Sequence, residues 1–136
     1  MNTIQLPRTI VNQLLAHAQS RDAVEVCGLI SSKHGHPARC YPIPNTASNP
    51  RKHFTMDEHA QIDAMRTIRE QGEALFAIYH SHPHAPAQPS AEDLQHDEYP
   101  EALRLIVSLN TKGVLELRAF SVVNGRAEAV GLELSE

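Results

Sequence analysis

The residues with the densest chemistry are His80, His82, Ser90 and Asp93, which fall within one fourteen-residue stretch. The stretch begins where an apolar run, residues 74–79, reads as a buried strand ending at the first histidine. Side chains two apart on an extended chain point the same way, so His80 and His82 present both imidazoles to one side. Pro83, Pro86 and Pro89 then fix φ along the following loop and keep it from being strand or helix. Ser90 with Asp93 three residues on predicts a helix start. A strand end, a stiff loop and a helix start thus bring two imidazoles and one carboxylate together. Three N/O ligands with an open fourth position is how catalytic zinc is held.

Each part alone has an ordinary reading. A histidine at a strand end is commonly a plain core or surface residue, and Ser-x-x-Asp is commonly just a helix cap. The combination at fixed spacing carries the signal. His84 continues the alternation, so a three-histidine set is conceivable, although Pro83 breaks the strand geometry before it. Glu25 stands among apolar neighbours in a strand-like run, residues 24–32. Cys27 lies two residues beyond it, on the same face if that strand is regular, and reads as a buried, inert thiol. His17, His34, His36, His53, His59 and His96 have no partner at ligand spacing and read as surface.

His80-Ser81-His82, seven residues, then Ser90-x-x-Asp93, with Glu25 upstream, resembles the JAMM (MPN-type) zinc metalloproteases at every position of their pattern. The segment beginning Glu25-Val26-Cys27-Gly28 looks like that family's first active-site strand, and residues 45–56 like its substrate-side loop. The resemblance runs from about residue 5 to residue 125. It implies that His80, His82 and Asp93 are zinc ligands. It further implies that Glu25 is the general base and that Ser90 hydrogen-bonds the developing oxyanion.

The elements needed to position these groups can be read along the chain. Residues 7–21 carry Ile10, Val11, Leu14, Leu15 and Ala18 at helical spacing, with Pro7 suited to the first turn. A turn at residues 33–36 joins the first strand to a second, 38–43. Residues 44–50 are a loop by composition. Asp57 caps a helix to residue 71 that carries Ile62, Met65 and Ile68, with Gly72 at its end. Strands follow at 103–109, 114–123 and 126–134, the last two joined by Asn124-Gly125, a strong hairpin signal. This order predicts one α/β domain over residues 1–136, three-layered, with a mixed sheet flanked by helices on both faces. The resemblance implies the same kind of fold, similar to that of cytidine deaminases. The deaminase signature of His-x-Glu with Pro-Cys-x-x-Cys is absent, which argues against nucleobase deamination.

Composition excludes several function classes. The 136 residues are 41% hydrophobic and 21% charged, ordinary for a globular domain. A formal charge of −4 gives no basic footprint for nucleic acid. No apolar run approaches membrane-spanning length and no signal-peptide pattern opens the chain, so a cytoplasmic location is expected. Cys27 and Cys40 make neither a disulfide framework nor a Cys-x-x-Cys metal site.

The ligand set permits hydrolysis by a water made nucleophilic near neutral pH. The resemblance implies cleavage at the C-terminal glycine of a ubiquitin-like protein, with a sulfur carrier favoured. About ten residues separate Asp93 from the next strand, too few for the insertion carried by deubiquitinating relatives. Residues 53–56 have two readings: a strand edge with which an extended tail pairs, or a plain lead-in to the following helix with Phe54 and Met56 in the core. The alternatives are a non-catalytic MPN-type assembly module and a phage-tail or cell-wall peptidase.

Overall fold

The computed structural model describes residues 3–95 and 99–136. Its order is β1 (Thr3–Pro7), α1 (Arg8–Ser20), β2 (Cys27–Lys33), β3 (His36–Ile43), α2 (Glu58–Glu70), β4 (Ala74–His82), β5 (Leu103–Ser108), β6 (Glu116–Val123) and β7 (Arg126–Ser135). A single 3₁₀ turn, Asp93–Gln95, stands between β4 and β5. Among the described residues the strands form one sheet in the order β1-β7-β6-β5-β4-β2-β3. β1 pairs parallel with β7 and β4 parallel with β5, and the other pairings are antiparallel. The sheet is therefore mixed, as the sequence predicts.

Alternation along the strands divides the core into two faces. Ile30, Ala77, Tyr79, Leu105 and Val107 join Ile10, Val11, Leu14 and Ala18 of α1 on one side. Cys27, Leu29 and Ile78 join Ala64 and Ile68 of α2 on the other. The helices thus cover opposite faces, giving the three layers expected. Asp57 accepts the Ala60 N–H at 2.9 Å and caps α2, and Gly72 at φ 72° follows its end. The β2–β3 turn has His34 and Gly35 at positive φ, and the β6–β7 turn has Asn124 and Gly125, both suited to two-residue hairpins.

Four expectations are corrected. β1 is a strand that the sequence reading omitted. Ile62 is 58% exposed because it points away from the stripe formed by Ala64 and Ile68. β2 begins at Cys27, so Glu25 precedes the strand proper. The helix expected from Ser90 is only the 3₁₀ turn within the described residues, and His96 lies outside them. No helix among those residues is long and apolar enough to cross a membrane.

One packing detail fixes the register of the site strands. Tyr79 is fully buried across β4 from Gly28, and its hydroxyl meets His17 Nδ1 at 2.8 Å. His17 is therefore a packing partner of the core, contrary to its reading as surface. A Cβ at Gly28 would overlap the Tyr79 ring. Gly28→Ala should destabilise the fold by about 1–3 kcal/mol through overpacking. A denaturant midpoint unchanged from wild type would show that the ring can withdraw.

Candidate functional site

The site forms where β4 ends beside β5. His80 and His82 are buried there on the face carrying Ile78. Ser81, between them, points to the opposite face, where its Oγ accepts the Val26 N–H at 2.9 Å. The Ser81 N–H donates in turn to the Val26 carbonyl at 3.0 Å. Ser81 thereby ties the segment carrying Glu25 to the histidine strand. The Pro-rich loop is anchored by Ala87, buried with Ile106 and Phe120, and by Ser108, which donates to the Ala85 carbonyl at 2.7 Å. That anchoring returns the chain to the histidines at Asp93.

Three side-chain atoms converge. His80 Nε2 lies 3.0 Å from His82 Nε2, and Asp93 Oδ2 lies 3.1 Å and 3.2 Å from those nitrogens. His82 Nδ1 is 2.8 Å from the Pro86 carbonyl, which can only accept, so Nδ1 carries the hydrogen. In neutral His82 the Nε2 lone pair then faces the triangle, as in metal-ligating histidines oriented by a carbonyl. Ligand atoms about 2.0 Å from a tetrahedral zinc ion stand roughly 3.3 Å apart. The triangle and its two N donors with one O donor fit that ion.

Burial alone would raise the pKa of Asp93, but the contacts with His80 and with His82 in its protonated form, together with the Ser90 N–H, outweigh it and hold it below the usual carboxylate range. Burial also opposes charge on His82, yet Asp93 and the Pro86 carbonyl raise its pKa. Phe54 stacks on His80 with centroids 4.6 Å apart and planes at 23°.

Glu25 is 5% exposed, and its ligand atom lies within 4.8 Å of those of both histidines. Its Oε1 has no hydrogen-bond partner among the described residues. Burial pushes its pKa up to about 8, against the lowering influence of His82. The backbone of Glu25 is fixed instead: its N–H donates to the Pro50 carbonyl at 2.7 Å and its carbonyl accepts Asn45 Nδ2 at 2.8 Å. Asn45 Nδ2 also donates to the His53 carbonyl, and its Oδ1 accepts the N–H groups of Ala47 and Thr55. Sequence reading missed this clamp. An Asn in a Pro- and Asn-rich loop was the available signal.

Ser90 Oγ accepts the Asp93 N–H at 3.0 Å, and Asp93 Oδ2 accepts the Ser90 N–H at 2.9 Å. The cap reading is therefore correct, but it occupies a lone pair of the hydroxyl, not its proton. His84 is exposed and stays outside the triangle, on the wall of a cavity beside Glu25. The Cys27 thiol turns to the Ile43 carbonyl at 3.4 Å and is pushed up to about 12 by burial, so it is inert. His53 does have a partner, Glu92 Oε2 at 2.7 Å, which clasps residues 44–56 to the Ser90 loop. The edge expected at residues 53–56 is partly used internally. Asn45 takes the Thr55 N–H, and the Thr55 carbonyl accepts the Thr46 N–H at 2.8 Å.

Two cavities flank the triangle. The one beside His80 and Asp93, of about 160 Å³, is walled by Phe54, Met56, Ile78 and Ile106, with Glu58, Gln61 and Arg104 also on its lining. The other, of about 450 Å³, reaches Glu25, His82 and Ser90.

Residues 7–122 match the family model described as prokaryotic homologs of the JAB domain. The CysO-cysteine peptidase of Mycobacterium tuberculosis is 30% identical over 118 residues, spanning 85% of this chain and 80% of that protein. A probable TtuB-protein conjugate cleaving protease of Thermus thermophilus is 30% identical over 127 residues, spanning 93% and 81%. The solution structure of a Desulfitobacterium hafniense protein superposes with a TM-score of 0.86 at 30% identity, covering 98% of this chain and 94% of that one. A JAB1/MPN domain protein from Archaeoglobus fulgidus shares the fold, with a TM-score of 0.64 at 19% identity and full coverage of both chains.

Proposed function

The chain belongs to the prokaryotic homologs of the JAB domain, and from that premise we propose a zinc-dependent peptidase acting on ubiquitin-like sulfur-carrier proteins. The bond cleaved is the amide following the carrier's C-terminal glycine. The observation that carries the reading is the convergence of His80 Nε2, His82 Nε2 and Asp93 Oδ2 beside a buried glutamate. The names of the matched relatives, a CysO-cysteine peptidase and a TtuB-conjugate protease, support the substrate class.

His80, His82 and Asp93 would hold the zinc. When bound, zinc acidifies a water to a pKa of about 7 and polarises the scissile carbonyl. Glu25 takes a proton from water and delivers it to the leaving amine, a task suited to a carboxylate with no competing donor on Oε1. Asn45 holds Glu25 in place through its carbonyl. The Ser90 hydroxyl donates a hydrogen bond to the developing oxyanion while its lone pair receives the Asp93 N–H. The smaller cavity beside His80 receives the side-chain-poor tail. Free thiols at Cys27 and Cys40 support a reducing, cytoplasmic setting, with the chain acting as one domain.

The direct test is incubation of the zinc-loaded protein with carrier proteins bearing C-terminal extensions, followed by intact-mass measurement. Trimming back to the terminal glycine is expected. An unchanged mass with stoichiometric zinc in place would refute the reading. Ser90→Ala should still fold and bind zinc but turn over about 10²–10³-fold more slowly. A clear fall in stability with unchanged turnover would reduce Ser90 to its capping role.

A further inference from the structure

The larger cavity contains basic groups that the proposed chemistry does not use. Arg51, Lys52 and His84 are exposed on its wall, which also includes Asn49, Ser90 and the buried Glu25. Neither Arg51 nor Lys52 makes an ion pair with any described residue, whereas Glu92, two residues beyond Ser90, is engaged by His53. This basic wall stands out on a chain whose formal net charge is −4.

Chemistry decides which half of the substrate meets that wall. Hydrolysis breaks the C–N bond, places the water oxygen on the acyl carbon, and gives the nitrogen the proton that Glu25 removed from water. Glu25 must therefore touch the leaving nitrogen, and the leaving group lies on the Glu25 side. The acyl tail then falls on the opposite side, to the smaller cavity by His80. In a linear peptide bond to a single terminal amino acid, a carboxylate sits one carbon from the leaving nitrogen. In an isopeptide bond to a lysine side chain, only methylenes follow that nitrogen.

Resting on the peptidase reading above, we propose that Arg51 and Lys52 form a subsite for the α-carboxylate of a leaving amino acid. They are specificity determinants that make the enzyme favour releasing one terminal residue by linear peptide cleavage. An Arg or Lys hydrogen bond to a carboxylate is charge-assisted, and the open cavity moderates its strength.

The test uses two carrier-tail peptides ending in Gly-Gly-Ala, one a free acid and one a C-terminal amide, with the zinc-loaded full chain. The free acid should be cleaved with kcat/KM about tenfold or more above the amide. In an Arg51→Gln, Lys52→Gln double variant the two values should converge to within about twofold. Binding gives a readout without turnover: the Glu25→Gln protein should bind the acid about tenfold more tightly than the amide. Added salt should narrow that difference. Equal cleavage of acid and amide by wild type, or a gap that survives the double variant, overturns the subsite while leaving the peptidase standing. Cleavage of neither peptide by zinc-loaded protein overturns both.

Discussion

Glu25→Gln will leave the protein folded and able to hold zinc while lowering amide hydrolysis by about 10²–10⁴-fold. The glutamine keeps the shape of the side chain, but its amide cannot accept a proton from water at working pH. Asp93 is no substitute base, since it is engaged by both imidazoles and its pKa is lowered. Stability gives an independent check. The carboxyl of Glu25 has a pKa of about 8 when folded against 4.5 ordinarily, so the folded state binds its proton more tightly. In metal-free protein this group therefore weakens the fold increasingly as pH rises from 4.5 to 8. Metal-free Glu25→Gln should match wild type below that window and melt higher than wild type above it. Peptide turnover near the wild-type rate would remove Glu25 from the mechanism.

The groups most legible in the sequence were those fixed by local geometry. His80 and His82 share a face because strand side chains alternate, and three prolines mark a stiff loop returning to Asp93. Asn124-Gly125 announced its hairpin because few other residue pairs accept two positive φ values. What escaped were features held by distant partners. β1 carries one fully buried side chain, Leu6, and exists through parallel pairing with β7 at the far end of the chain. No local pattern encodes that pairing. Asn45 looked like loop composition, yet its side chain satisfies backbone groups of Glu25, Ala47, His53 and Thr55. Ser81 looked like a spacer between ligands, while its hydroxyl docks the Glu25 segment onto β4. The same limit explains His17 and His53, whose partners Tyr79 and Glu92 are far away in sequence.

Asp93→Ala is expected to abolish stoichiometric zinc binding, and hydrolysis with it. Asp93 Oδ2 closes the triangle at 3.1 Å and 3.2 Å, and without it two imidazole nitrogens face one another 3.0 Å apart with no anionic partner. Loss of an outer hydrogen-bond partner commonly lowers metal affinity by about 10–100-fold, and loss of a direct ligand should exceed that. The same carboxylate also receives the Ser90 N–H, so the variant forfeits one cap interaction worth about 1 kcal/mol. Asp93→Asn separates the two effects, because its side-chain oxygen can still accept the Ser90 N–H while the negative charge is gone. It should fold like wild type and bind zinc weakly. His84→Ala supplies the opposing comparison: His84 lies outside the triangle, so that variant should retain one equivalent of zinc. If Asp93→Ala keeps its zinc and His84→Ala loses it, the ligands are three histidines and Asp93 is only the partner that caps the loop.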